Sequence, residues 1–147
     1  MAQKHVINAR AQSGFAKSAA YDEHRPTYSP TATEYLLQQL RIAGKRHAKV
    51  LDLAAGTGKF TEGLARRAEE FEIVAVEPHD GMREVLEAKG LPRVRVDNGV
   101  ADRISLESGS IDAVVTAQVG HLPTRTFCSR MSCQNPRRVP FEVTTKR

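Results

Sequence analysis

At 147 residues, 40% apolar, 5% aromatic and 27% charged, the chain has the composition of one soluble domain and is too short for two full ones. Its longest mostly apolar stretch, Ile111 to Val119, is short and broken by Asp112, Thr116 and Gln118, so neither a membrane-spanning helix nor a secretory leader is read here and the cytoplasm is the expected location. The net charge of +5 belongs to the tail: residues 122–147 hold six Lys and Arg against one acidic residue while the rest is balanced, which argues against a chain-wide phosphate-binding surface and specific nucleic-acid recognition.

Residues 1–30 read as an arm. Phe15, Tyr21 and Tyr28 are spaced among charges, and Pro26 and Pro30 forbid one continuous helix. Thr31-Ala32-Thr33-Glu34 then has the spacing of a capping box, and Tyr35, Leu36, Leu40 and Ile42 follow at roughly helical intervals up to Gly44.

From Lys49 to Val119, short β-branched runs alternate with helical stretches. Val50–Leu53 reads as a buried strand, Phe60–Ala68 as a helix with Phe60, Leu64 and Ala68 on one face, and Ile73–Val76 as a strand. Met82, Val85, Leu86 and Leu91 have helical spacing, and Val94–Val96 and Ile111–Thr116 are further strands, with the last helix reduced to Ala101–Leu106. Strands separated by helices imply parallel pairing, hence an α/β layered sheet. Residues 122–147 break this grammar. Prolines at 123, 136 and 140 and the Arg137-Arg138 pair leave no apolar period, so most of this basic segment is expected to form no packed element. Cys128 and Cys133 are too few to staple a core, and His5, His24, His47 and His79 have no metal-ligand spacing, so no metal is expected.

The first strand runs into Asp52-Leu53-Ala54-Ala55-Gly56-Thr57-Gly58-Lys59-Phe60, a strand, a glycine turn and a helix start. Gly56 and Gly58 admit positive φ and offer bare backbone to a small polar ligand. A nucleoside-triphosphate loop would need glycine where Leu53 stands and Ser or Thr where Phe60 stands. A dinucleotide site of the G-x-G-x-x-G type would need Gly56, Gly58 and a third glycine, and the third position is Thr61. Two acids sharpen the choice. Asp52 stands four residues before Gly56, and Glu77 closes the next strand 19 residues after Gly58, where a carboxylate can accept from both ribose hydroxyls. Asp52 would repel a phosphate, which favours adenosine carrying a cationic group.

These residues resemble the class I S-adenosylmethionine-dependent methyltransferases. The likeness rests on Val50-Leu51-Asp52-Leu53-Ala54-Ala55-Gly56-Thr57-Gly58, Val74-Ala75-Val76-Glu77-Pro78, Gly99-Val100-Ala101-Asp102 and Ile111-Asp112-Ala113-Val114-Val115-Thr116-Ala117-Gln118, and it extends over about residues 13–121. The lead-in Phe15-Ala16-Lys17-Ser18-Ala19-Ala20-Tyr21 with Arg25-Pro26 is similar to the trans-aconitate and ubiquinone-type small-molecule branch. The family's first turn glycine is Ala54 here, a one-methyl change that still permits a close turn. The resemblance implies a Rossmann-like sheet of about four parallel strands with helices on both faces. It is expected to be incomplete, as residues 31–121 would form a partial cofactor-binding domain truncated after the fourth strand.

By the same resemblance, Asp52 would orient the methionine ammonium, Ala54, Gly56 and Gly58 would let the cofactor approach, and Glu77 would hold the ribose. Val100 and Ala101 would line the adenine, Gln118 and His121 would face the acceptor, and Tyr21 with Arg25 would close over the cofactor. No catalytic residue is singled out, because in-line methyl transfer can run largely on positioning. The expected activity is methyl transfer from S-adenosylmethionine to a small-molecule acceptor, a carboxylic acid among the candidates. The alternative is a non-catalytic fragment that binds the cofactor weakly or pairs with another protein. Loss of the outer strands would leave Val114, Val115 and Thr116 as an exposed hydrophobic edge, open to association.

Overall fold

Val50, Leu51, Asp52 and Leu53 are all buried, so this run has no solvent side and must lie inside a sheet covered on both faces. A computed structural model, which describes residues 27–100, 104, 106, 107, 109–117 and the backbone of 141–143, shows how. The elements are α1 (Pro30–Gln39), β1 (Lys49–Leu53), α2 (Lys59–Ala65), β2 (Glu72–Val76), α3 (Asp80–Ala88), β3 (Val94–Asp97), β4 (Ala113–Ala117) and β5 (Phe141–Val143). They build one sheet in the order β3-β2-β1-β4-β5, every pair parallel. The order reverses direction between β1 and β4, which makes the carboxyl end of β1 the switch point of a doubly wound sheet.

Alternation along the strands divides the core in two. Val50, Ile73, Ala113 and Val115 pack with Leu36 and Leu37 of α1, Phe60 and Leu64 of α2, and Phe71. Leu51, Leu53, Val76 and Val114 face the other way and pack with Ile111, Val74, Ile104 and Leu106. Each fully buried Val, Leu, Ile or Phe among them contributes about 1.5–3 kcal/mol by leaving water. Asp52 has the parity of Val50, which directs it toward α2.

The ends of α1 differ from the sequence expectation. The capping box does not form: Ser29 is the N-cap without a side-chain bond, and Pro30 takes the first helical position. Proline has the right φ and no N–H to satisfy there, while Glu34 accepts instead from Gln38 and from Arg67. The helix stops at Gln39, five residues before Gly44, and Arg41 just past its end adopts φ 57°. The Arg41 and Ile42 N–H groups donate back to the carbonyls of Gln38 and Leu37, both at 3.0 Å, in a Schellman arrangement whose apolar contact is Leu37 with Ile42. The buried face is Thr33, Leu36 and Leu37, and Tyr35 points outward at 59% exposure. In α2 the helix ends at Ala65, and Ala68 lies beyond it, exposed.

The expected incomplete α/β sheet of parallel strands is present, with one short strand beyond the four expected. Phe141, Glu142 and Val143 pair with Val115, Thr116 and Ala117, so a fifth strand covers the edge that was expected to stay open. Three residues are too few to carry a hydrophobic period, and the neighbouring prolines hide them further. Among the described residues no helix is long and apolar enough to cross a membrane.

Candidate functional site

The carboxyl ends of β1 and β2 are tied together by backbone. The Ala55 N–H donates to the Val76 carbonyl at 3.1 Å, and the Gly58 N–H to the Ala55 carbonyl at 3.0 Å, closing the turn that leads into α2. This turn needs left-handed backbone three times, at Ala54 (φ 57°), Gly56 (φ 61°) and Gly58 (φ 82°). Ala54 is the only one with a Cβ, so the methyl group there carries a strain of about 1–2 kcal/mol that a glycine would not. The two glycines do different work. A Cβ on Gly56 would meet only Met82 Sδ, at 3.9 Å, whereas a Cβ on Gly58 would lie 2.2 Å from Leu86 Cδ1 and 3.2 Å from Leu86 Cγ. Gly58 therefore lets α3 pack against the turn, a role the sequence reading did not separate from ligand approach.

Glu77 follows β2 and is 5% exposed. Both its oxygens are gripped by backbone donors: Oε2 by the Gly56 N–H and Oε1 by the His79 N–H, each at 2.8 Å. Each oxygen keeps a second lone pair for a ligand hydroxyl. The Glu77 N–H donates to the Asp97 carbonyl at 3.0 Å, and Arg83 donates to the Glu77 carbonyl at 3.1 Å. His79 is the N-cap of α3, its Nδ1 accepting from the Met82 N–H at 3.2 Å. Burial raises the Glu77 carboxyl above its usual range, against the lowering effect of the two N–H donors and of His79 and Arg83.

Asp52 is fully buried. Its Oδ2 accepts from the Thr61 hydroxyl at 2.6 Å, while Oδ1, enclosed among protein atoms, has no partner. Burial pushes this carboxyl up to about 7, with Thr61 lowering it and the negative charge of Glu77 raising it further. A buried carboxylate oxygen without a donor costs about 1–3 kcal/mol, more when charged. The arrangement fits a ligand that brings its own donor or positive charge.

Asp52, Ala54, Gly56, Gly58 and Glu77 thus come together at the switch point. Val100 is half-buried in the loop after β3. Tyr21, Ala101 and Gln118, like Arg25 and His121, lie outside the described residues. The sequence reading missed Thr61 and His79 as supports of the two acids. Thr61 was visible as the residue that spoils the third glycine, and nothing in the sequence marked His79. A cavity of about 710 Å³ lies elsewhere, at the amino-terminal end of the strands between Lys49, Glu72, Arg93, Leu106 and Ile111. None of the clustered site residues lines it, and doubly wound sheets bind ligands at the opposite end.

Comparison with known proteins identifies the family. The family described as a methyltransferase domain matches residues 50–132, eleven residues past the point where the sequence likeness was expected to stop. An uncharacterized methyltransferase of Mycobacterium tuberculosis is 43% identical over 102 residues, covering 69% of this chain and 38% of that protein. An uncharacterized methyltransferase-like protein of Schizosaccharomyces pombe is 36% identical over 103 residues, 70% of this chain and 39% of that one. The chain therefore spans well under half the length of these curated relatives. Among solved structures, the DhpI–SAH complex matches with TM-score 0.58 and 25% identity over 82% of this chain and 58% of that one. The DhpI–SAM–HEP complex, at 24% identity and TM-score 0.58 over 88% of this chain and 58% of that one, shares the fold.

Proposed function

The chain belongs to the methyltransferase-domain family, and we propose that it binds S-adenosylmethionine at the carboxyl ends of β1 and β2 and passes the methyl group to a small-molecule acceptor. The observation that carries this reading is the pair of buried acids on either side of a left-handed turn, one of them with an oxygen that no protein donor reaches. Glu77, already oriented by the Gly56 and His79 N–H groups, has lone pairs left for two ribose hydroxyls. Asp52 offers negative charge to the ammonium of the amino-acid portion, and Gly56 leaves open backbone beside it. Asp52 disfavours the pyrophosphate of a dinucleotide. The neighbour DhpI is described in complex with SAM and with SAH, which supports the same cofactor here.

When bound, S-adenosylmethionine supplies an electrophilic methyl group on a sulfonium. The chain's contribution is orientation: Glu77 and Asp52 fix the two ends of the cofactor, and positioning of this kind supplies much of the barrier reduction in a displacement between two held partners. A carboxylic acid is the acceptor class we favour, from the likeness of residues 15–26 to small-molecule methyltransferases. Incubation with methyl-labelled S-adenosylmethionine and a panel of small carboxylic acids tests this. Label in an ester product supports it; label retained wholly in the cofactor, with a folded protein that binds it, refutes the transfer step.

A further inference from the structure

Thr61 occupies the position at which a dinucleotide-binding turn has its third glycine, and it is entirely buried. In such a turn the glycine is there for close packing of helix on strand. Here the space is used for a hydroxyl, which reaches from the first turn of α2 across to β1 and donates to Asp52 Oδ2 at 2.6 Å. The other oxygen of the same carboxylate is the one described buried side-chain atom with no hydrogen-bond partner. Of the neighbouring elements, α2 thus presents a neutral donor to Asp52, and β2 presents the acid Glu77 at its end.

We infer that Thr61 is a positioning residue for ligand binding: its hydroxyl holds one oxygen of Asp52, fixing the carboxylate and favouring the charged form that attracts the cationic end of the ligand. This inference rests on the cofactor site proposed above and adds to it a residue that touches no ligand. Without the hydroxyl, Asp52 would have two unpartnered oxygens, would be harder to ionise and would be free to rotate. The Thr61 hydroxyl then accounts for the broken glycine pattern as well, since a glycine there would leave the carboxylate unsupported.

The test is calorimetric titration of the whole chain with S-adenosylhomocysteine, which keeps the amino-acid ammonium and the ribose, at several pH values between 6 and 9. The proteins are the natural chain, Thr61→Val and Thr61→Ser. Thr61→Val should weaken binding by roughly ten- to a hundredfold, the scale of one hydrogen bond to a charged group, and should move the rise of affinity to higher pH. Thr61→Ser, which keeps the donor, should restore both. In an Asp52→Asn background the Thr61→Val effect should vanish. If Thr61→Val does not fold, Thr61→Cys, close in size and a poor donor, should show the same shift. Equal affinity and an unchanged pH profile in a folded Thr61→Val or Thr61→Cys protein would overturn the inference and leave the cofactor site standing. Absence of binding by the natural chain would instead remove the site, and the inference with it.

Discussion

Replacing Asp52 with asparagine should make the ligand-free protein more stable at neutral pH while leaving it little changed in acid. The carboxyl is raised from 3.8 to about 7 because it is fully buried with only the Thr61 hydroxyl to favour its charged form. In the unfolded chain it loses its proton near 3.8; in the folded chain it keeps the proton until about 7. Stability from this group is therefore fully present below the unfolded value and is lost as the pH rises through the folded one. Each pH unit in that window costs about 1.4 kcal/mol, and a shift from 3.8 to about 7 amounts to about 4 kcal/mol in all. Glu77 is shifted in the same direction and is present in both proteins, so the difference between them reports Asp52 together with its repulsion by Glu77. Glu69, held down to about 2 by Arg67, titrates below the window and does not interfere. Urea denaturation at pH 5, 6, 7 and 8 reads this directly. The natural chain should lose about 2 kcal/mol relative to Asp52→Asn between pH 5 and 7, and the two should become parallel only by about pH 8. Parallel curves across the whole range would refute the reasoning, because they would mean that the folded protein ionises Asp52 as easily as the unfolded chain does.

Two backbone substitutions test the turn. Ala54→Gly should stabilise the protein by up to about 1 kcal/mol, the relief of a left-handed alanine less the extra freedom glycine gives the unfolded chain; a lower denaturation midpoint would contradict the strain at φ 57°. Gly58→Ala should cost about 2–4 kcal/mol, combining the left-handed penalty with a methyl group driven into Leu86. Adding Leu86→Ala should recover part of the packing share, and a strictly additive double variant would argue against the contact.

Much of this architecture is legible in the residues because its signals are local and repeated. The runs at 50–53, 73–76 and 94–96 gave their strands to within a residue, the first two because a strand largely buried on both faces reads as a near-continuous apolar segment and the third because Val94 and Val96 alternate with arginine. The acid–turn–acid placement was legible because Asp52, Gly56 and Glu77 are tied to strand ends. What escaped were features decided by competition between groups distant in sequence. Glu34 could have capped its own helix, but Arg67, 33 residues away, takes its carboxylate. Arg41 ends α1 because Ile42 is drawn back onto Leu37, while the more obvious Gly44 lies past the end. The strand at 141–143 exists through pairing with β4, and its own sequence carries no period. Gly58 looked like a ligand-facing glycine until Leu86, 28 residues on, was seen to occupy the space beside it.

The central claim is that the carboxyl ends of β1 and β2 form an adenosyl site, and calorimetric titration of the purified chain with S-adenosylmethionine and S-adenosylhomocysteine tests it most directly. NADH serves as competitor and Glu77→Ala as the control, its folding checked by circular dichroism. The account predicts saturable binding of both ligands, no competition by NADH, and at least about tenfold weaker binding once the ribose acceptor is gone. A folded natural chain that binds neither ligand, or binds them equally well without Glu77, would contradict it.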